Sequence, residues 1–152
     1  IEISADKVKI DNSKGESIYS GKVVLIQGSL KLTGAKLIVQ TDDNGDLKKS
    51  DIYGKPASFK QKPDNKEMID AKAEHIEITY NENEEIILNK NASLIQGANK
   101  FFGAKIRYIG KTDQVIADGQ QDTRVKVVIS PRKKSSDKAN NEAANSNDTK
   151  EE

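Results

Sequence analysis

Alternation of apolar and polar residues constrains this chain more than any other feature. Apolar side chains recur at every second position in several runs, which include Ile1-Ile3-Ala5, Val8-Ile10, Leu30-Leu32, Leu37-Val39, Ala71-Ala73, Ile76-Ile78-Tyr80, Ile106-Tyr108 and Val125-Val127-Ile129. A period of two indicates β-strands with one buried face, and no comparable helical period is present. Turn-forming clusters at 11–15, 42–45, 62–65, 81–83 and 110–113 separate the runs. The sequence therefore predicts an all-β fold of about a dozen or more short antiparallel strands, with almost no helix.

The chain also repeats itself. Gln27-Gly28 and residues 34–39 are matched by Gln96-Gly97 and residues 103–108, and residues 5–10 are matched by residues 73–78. The shift from Gln27 to Gln96 is 69 positions. One such unit alone would leave an apolar face uncovered, so we expect two stacked units that share a continuous core between two sheets.

Composition limits the classes of partner and chemistry. The 25 basic and 24 acidic side chains give a net charge of +1, which supplies no field to attract a nucleic acid. Cysteine is absent, so disulfides, thiolate metal sites and a cysteine nucleophile are excluded. No apolar stretch approaches the roughly 18 residues of a transmembrane helix.

The two ends of the chain differ from its body. Residues 131–152 contain no Ile, Leu, Val or aromatic residue, so we expect a flexible polar tail after a single domain of residues 1–130. The chain starts at Ile1 without a Met, a basic segment or an apolar leader. It is interpreted as a mature or trimmed form, compatible with removal of a signal peptide.

Catalytic and cofactor motifs are missing. His75 is the only histidine, and we expect it on the solvated polar face of a strand between Glu74 and Ile76. The chain has no phosphate-binding glycine loop, no Gly-x-Ser-x-Gly and no histidine-rich metal signature. We therefore expect a protein that is not an enzyme and that needs no cofactor or metal.

Two acidic segments have features of binding or catalytic sites. Asp42, Asn44 and Asp46 are spaced like the start of a calcium loop, but Leu47 stands where that loop needs Gly and Tyr53 where it needs Glu. A polar turn is the better interpretation. Residues 82–85 are similarly predicted to be an acidic hairpin tip, because a glycosidase cleft would need aromatic sugar platforms that this chain, with seven Tyr and Phe and no Trp, scarcely offers.

Three segments carry a resemblance to a known family. Residues 1–10, residues 21–39 and the run Tyr53-Gly54-Lys55-Pro56-Ala57-Ser58-Phe59 are similar to the LptA/OstA family, with Ser58 where the family has Thr. The repeated run 103–106 extends the likeness to the second half. The resemblance implies an open, twisted two-sheet β-jellyroll (OstA-like) in the periplasm that holds the acyl chains of lipopolysaccharide (LPS). It further implies head-to-tail stacking into a bridge between inner-membrane LptC-like and outer-membrane LptD-like OstA domains.

The resemblance also implies which residues face lipid. The inward positions of the matching strands are Ile1, Ile3, Val8, Ile10, Leu30, Leu32, Phe59, Ile76, Ile78, Phe101, Ile106 and Tyr108, with Val23, Leu25, Leu37, Val39 and Leu94 as weaker candidates. At the position where one family member has a Tyr, this chain has Ile78. The edges expected to pair between copies carry Ile1, Ile3, Val125, Val127 and Ile129. The same apolar residues could instead pack as a closed core, and whether the sheets close or splay is open at this point.

Two other functions stay in contention. The first is an OstA-like interaction domain of an outer-membrane assembly component that does not itself carry lipid. The second is a β-solenoid enzyme acting on polysaccharide, which two long repeats without a catalytic cluster fit poorly.

Overall fold

The computed structural model describes residues 1–131 as ten β-strands without a helix. The strands are β1 (Glu2–Ser4), β2 (Lys7–Asp11), β3 (Glu16–Gln27), β4 (Leu30–Thr41), β5 (Leu47–Gln61), β6 (Ile69–Thr79), β7 (Glu85–Gln96), β8 (Asn99–Ile109), β9 (Gln114–Asp118) and β10 (Lys126–Val128). The predicted all-β class is confirmed, but the expected dozen short strands is wrong. Runs such as Leu30-Leu32 and Leu37-Val39, expected as separate strands, are two halves of one long strand.

All strand pairs are antiparallel and form one sheet. Strands β3 to β8 form a meander in which each strand pairs with the next. At one edge β1 and β2 both pair with β3, and at the other edge β9 and β10 both pair with β8. Each edge is therefore a broken strand whose outer side has no partner within residues 1–131.

Each of the five strand pairings from β3–β4 to β7–β8 contains a register shift near its middle. In β3 the shift lies between Ser20 and Val23, where Gly21 and Lys22 both have positive φ. A shift of 69 positions in the sequence superimposes β3 on β7. Gly21 and Lys22 then correspond to Lys90 and Asn91, which also have positive φ at the bulge of β7. The internal repeat in the sequence is thus a repeat of the bend itself, because bulges bend and twist the strands that carry them.

The bends divide the sheet into two halves. Half-sheet A contains β1, β10 and the parts of β3–β8 next to the β3–β4, β5–β6 and β7–β8 turns. Half-sheet B contains β2, β9 and the parts next to the opposite turns. No helix of residues 1–131 covers the apolar face, so the half-sheets fold over and bury it against each other. The expected two layers are therefore two halves of the same bent strands.

The two half-sheets meet again on the side opposite the bends, which we call the mouth. Lys66 Nζ, in the β5–β6 loop of half-sheet A, donates a hydrogen bond of 2.7 Å to the carbonyl oxygen of Gly110 in half-sheet B. Gln96 Nε2 donates a bond of 2.8 Å to Asp113 Oδ1 in the same way.

No helix long and apolar enough to cross a membrane occurs in the described part of the chain. The expected polar tail, apart from Pro131, lies outside the described residues.

Candidate functional site: an interior groove

Two ladders of inward side chains run across the whole sheet, from one edge to the other. Ladder A, in half-sheet A, is formed by Ile3, Leu25, Leu32, Phe59, Ala71, Leu94, Phe101 and Val127. Ladder B, in half-sheet B, is formed by Val8, Tyr19, Leu37, Ile52, Ile76, Leu88, Ile106 and Ala117. Each member lies directly opposite the next on the neighbouring strand. The two ladders form the apolar surfaces by which the half-sheets face each other.

Burial along these ladders falls from the centre to both edges. Leu37, Ile76 and the other central members are almost completely buried. At the outer ends Val8 is 51% exposed and Val127 is 45% exposed, although both belong to the inward face. The interior is therefore closed in the middle and open at its two ends, and each opening is lined by apolar side chains.

A cavity of about 240 Å³ opens at the mouth. Its floor is apolar and is formed by Leu30, Phe59, Ile78 and Ile86, with Tyr108 beside them. Its rim is polar and is formed by Gln27, Gln61, Lys66, Thr79, Tyr80 and Glu84. A pocket with an apolar floor and a polar rim suits a ligand with an apolar chain and a polar head.

Two phenols make the polar contacts of this region. Tyr80 lies within hydrogen-bond distance of the buried Ser50 hydroxyl at 3.1 Å, and burial raises the pKa of Tyr80 above its usual value. Tyr108 donates a bond of 2.8 Å to Asp113 Oδ1. Burial raises the pKa of Tyr108 most, and the Asp113 carboxylate raises it further because it stabilises the protonated phenol. Both phenols therefore stay neutral and act as hydrogen-bond groups.

The residues expected to face lipid fall into three groups. Seven of them are buried in the core, namely Leu30, Leu32, Phe59, Ile76, Ile78, Ile106 and Tyr108. Two are half-buried near the edges, namely Ile3 and Phe101. Three are exposed at the β1–β2 edge, namely Ile1, Val8 and Ile10. The weaker candidates are all buried, namely Val23, Leu25, Leu37, Val39 and Leu94.

The residues expected at the pairing edges lie at the two ends of the sheet. Ile1 and Ile3 belong to the β1 edge. Val125, Val127 and Ile129 belong to the β10 edge, where all three are at least 40% exposed.

Sequence reasoning missed the mouth and misjudged His75. Lys66 and Gly110 are 44 positions apart and meet only because the sheet folds over, so no local signal announces them. His75 is not simply solvated, because its side chain is only 24% exposed and both ring nitrogens have side-chain partners. The acidic segment at 42–46 is a turn, as expected, in which Asp42 Oδ1 accepts bonds from the backbone N–H groups of Asn44 and Asp46.

Comparisons with known proteins agree with this architecture. The family described as LptA/(LptD N-terminal domain) LPS transport protein matches residues 2–114. The lipopolysaccharide export system protein LptH of Pseudomonas aeruginosa is 36% identical over 142 residues, covering 88% of this chain and 81% of that protein. The lipopolysaccharide export system protein LptA of Escherichia coli K12 is 31% identical over 135 residues, covering 86% of this chain and 71% of that protein.

A solved structure supports the same grouping. The crystal structure of LptH, described as the LptA homologous periplasmic component of the lipopolysaccharide transport device of Pseudomonas aeruginosa, superposes with a TM-score of 0.77 at 32% identity. The match covers 86% of this chain and 94% of that chain. The fold is thus β-jellyroll-like, with an apolar interior between the two half-sheets. The chain belongs to the family of LptA/(LptD N-terminal domain) LPS transport proteins, as the sequence resemblance indicated.

Proposed function

We propose that this protein carries LPS in the periplasm by holding its acyl chains between the two half-sheets. The observation that supports this most directly is the pair of inward ladders, which are continuous across the sheet and leave one exposed apolar end at each sheet edge, Val8 on β2 and Val127 on β10. A closed core would hide its apolar residues at the ends as well. Open apolar ends instead allow a lipid chain to enter at one edge and leave at the other.

Acyl-chain transfer supplies the driving force for binding. Removing one methylene from water is worth about 0.8 kcal/mol, so a chain of about a dozen carbons strongly favours an apolar wall over water. The exposed inward side chains of Val8, Ile10 and Val127 lose their own contact with water in the same step. The polar rim of the mouth cavity can face the sugar head while the chains lie on its floor.

Carrying lipid through the middle requires the half-sheets to separate. The half-sheets are joined covalently along the bends, whereas the mouth is crossed by side-chain bonds such as those of Lys66 and Gln96. A net hydrogen bond contributes only about 1 kcal/mol, so opening at the mouth is the less costly direction. We therefore propose that the groove widens by a hinge motion about the bulges.

The wider role follows from the family. The relatives are export-system proteins for LPS, and one is described as periplasmic. We propose that this chain acts in the same compartment as a passive, non-enzymatic conduit. Its copies would stack head to tail through the β1–β2 and β9–β10 edges, and the ends of the stack would meet LptC-like and LptD-like domains.

A photo-crosslinking pair tests the lipid path. Phe101 is an inward member of ladder A, while its neighbour Phe102 lies opposite Ser93 and Lys126 on the outward face. A photoreactive phenylalanine replaces each in turn in living cells, and adducts are probed with an antibody to LPS. Phe59 and its outward neighbour Lys60 form a second pair deeper in the groove.

We expect LPS adducts at Phe101 and Phe59 and none at Phe102 or Lys60. Adducts confined to Phe101 would place lipid at the open end only. A folded protein without adducts at either inward position would contradict lipid carriage. That result would favour an OstA-like domain that interacts with partners without carrying lipid, an alternative supported by the closed centre of the interior.

A further inference from the structure

On the outer face of the sheet, three metal-ligating side chains converge near the bends. Asp51 on β5 lies directly opposite Glu77 on β6, and His75 lies two positions before Glu77 on the same face. One ligand atom from each of the three lies within 4.8 Å of the others. This cluster lies outside the groove and takes no part in the proposed lipid path.

The cluster concentrates negative charge at a largely buried position. Two carboxylates directly opposite each other on neighbouring strands repel and destabilise the pairing. The repulsion is poorly screened by water here, because Asp51 is only 8% exposed. Lys49 supplies one positive charge, but its Nζ stays 3.8 Å from Asp51 Oδ2 and 3.6 Å from Glu77 Oε2. Those separations are too long for hydrogen bonds, so Lys49 compensates the two carboxylates only loosely, and the short contact to Asp51 comes from His75 instead.

His75 is held in place by its neighbours. Its ring stacks on Tyr53 with centroids 4.5 Å apart and planes 7° from parallel. Asn89 Nδ2 lies 3.2 Å from His75 Nδ1, and His75 Nε2 lies 2.7 Å from Asp51 Oδ1. With Asn89 donating to Nδ1, the proton is on Nε2 and is donated to Asp51.

The same neighbours can also hold the His75 ring with Nε2 free to bind a metal ion. If the Asn89 amide turns over, its oxygen accepts a proton from Nδ1 and leaves the Nε2 lone pair facing the carboxylates. A second hydrogen bond that fixes the histidine tautomer is the usual support of a metal-bound imidazole. The net change is from the Nε2–H to the Nδ1–H tautomer of the neutral ring: water takes the proton from Nε2 and returns one at Nδ1, so the protons balance, and solvent reaches the ring because the His75 side chain is 24% exposed.

We propose that Asp51, His75 and Glu77 form a binding site for a divalent transition metal of the zinc class. Two carboxylates balance the charge of the ion, and imidazole with carboxylate oxygens is a ligand set that zinc accepts. Bonds of about 2.0–2.2 Å at tetrahedral angles place ligand atoms roughly 3.3 Å apart. The separations of 2.7 Å and up to 4.8 Å between these atoms bracket that value, so small side-chain rotations complete the site.

The ion would displace the Lys49 ammonium and connect β5 to β6, because Asp51 lies on β5 and the other two ligands lie on β6. The cluster adjoins the register shifts at Tyr53/Ala57 and Lys72/His75, where the two central strands bend. Bound metal would therefore stiffen the bend about which the half-sheets are proposed to open. Solvent would supply the fourth ligand, since the Glu77 side chain is 25% exposed.

Isothermal titration of the tag-free full chain with ZnCl2 tests the site, together with NMR of the histidine ring. His75 is the sole histidine, so its ring resonances report on this site alone. We expect one zinc per chain with a shift of the His75 resonances, and at least tenfold weaker binding in His75→Gln. Lys49→Met removes the competing cation and should bind zinc several-fold more tightly. Lys48→Met, exposed and one residue away, is the matched control and should bind as the natural chain does.

The Lys49 variant keeps the test decisive even if His75→Gln folds poorly. Zinc bound equally well by folded His75→Gln, or without a change in the His75 resonances, would overturn the proposal. So would zinc bound only after Lys49 is removed, because the lysine would then be the natural occupant. LPS crosslinking at Phe101 is independent of every one of these results.

Discussion

Replacing isoleucine by alanine at two inward positions should separate the closed centre of the groove from its open end. Ile106 is fully buried in ladder B, whereas Ile10 is 60% exposed on β2 although it faces the same interior. The residue type and the substitution are matched, and the two side chains differ in position, since Ile106 lies between two strands and Ile10 lies on an edge strand. Their packing differs accordingly, so the comparison measures how far the interior is closed.

The expected magnitudes differ several-fold. Ile106→Ala removes buried carbons and leaves a cavity, which costs about 2–5 kcal/mol. Ile10→Ala removes three carbon groups worth about 0.8 kcal/mol each when buried, and with about 40% of the side chain buried the loss is about 1 kcal/mol or less. With a urea m-value of about 1–3 kcal/mol/M, Ile106→Ala should lower the unfolding midpoint by about 1 M or more.

Urea unfolding followed by far-UV circular dichroism suits this chain, which has no tryptophan. The m-value should be unchanged in both variants, which shows that the free energy of unfolding itself has altered. Equal losses in the two variants would refute the picture of a closed centre with open ends.

Two further predictions concern a phenol and the bulges. Because the folded state raises the pKa of Tyr108, its contribution is complete below the unfolded value of about 10 and is lost as pH rises through the folded pKa. The free energy of unfolding should therefore fall more steeply above about pH 10 in the natural chain than in Tyr108→Phe, and identical pH profiles would count against this contact. Lys90 has a φ of +70° at the position that matches Gly21 in the first repeat, so Lys90→Gly should stabilise the fold by roughly 0.5 kcal/mol. Gly21→Ala should destabilise it by at least about 1 kcal/mol, since Gly21 has positive φ and a Cβ there would clash with the Asp6 carboxylate. A loss of stability in Lys90→Gly, or no loss in Gly21→Ala, in the same urea assay would show that the two bulges are not equivalent.

Strand content and inward faces could be read from the sequence because both depend on local alternation. Leu32, Phe59 and Ile76 were expected to point inward, and all three are buried. The joining of short runs into long bent strands was missed, although the sequence carries a trace of it. Leu32 and Leu37 lie five positions apart on the same face with no turn between them, and an odd spacing requires a bulge.

The outer-face cluster and the mouth could not be read in the same way. His75 acquires Asp51, Tyr53 and Asn89 as neighbours through the registers of β5–β6 and β6–β7, and a single sequence does not fix register. Its polar neighbours in sequence therefore suggested a solvated position. The mouth depends in turn on how far two half-sheets close, which is a property of the whole fold.

The internal repeat gives the proposed stacking a specific register. Residues 5–10 match residues 73–78 in sequence, so the β1–β2 edge corresponds to β6. In the repeat β4 corresponds to β8, and β5, which follows β4, corresponds to β9 and β10, which follow β8. The β9–β10 edge therefore corresponds to β5. The β5–β6 junction inside one chain is therefore a template for the junction between two copies.

A contact of that kind would continue both ladders from one copy into the next. In the template, ladder B passes from Ile52 on β5 to Ile76 on β6. The corresponding step between copies joins Ala117 of one chain to Val8 of the next, and both lie at the outer ends of ladder B. The apolar walls would then be uninterrupted along the stack, and the exposed side chains at each edge would be covered.

Cysteine pairs test this register directly, because the chain has no cysteine of its own. A chain carrying both Val8→Cys and Ala117→Cys should form a series of disulfide-linked oligomers under mild oxidation at high protein concentration. Lys9→Cys with Ala117→Cys is the matched control, since Lys9 lies on the outward face next to Val8 and should give little product. Equal crosslinking by both pairs would contradict the template, and a strictly monomeric chain in light scattering at high concentration would contradict stacking itself. Oligomers from the Val8→Cys and Ala117→Cys variant, and not from the Lys9→Cys control, would mean that two copies pair as β5 and β6 pair within one chain.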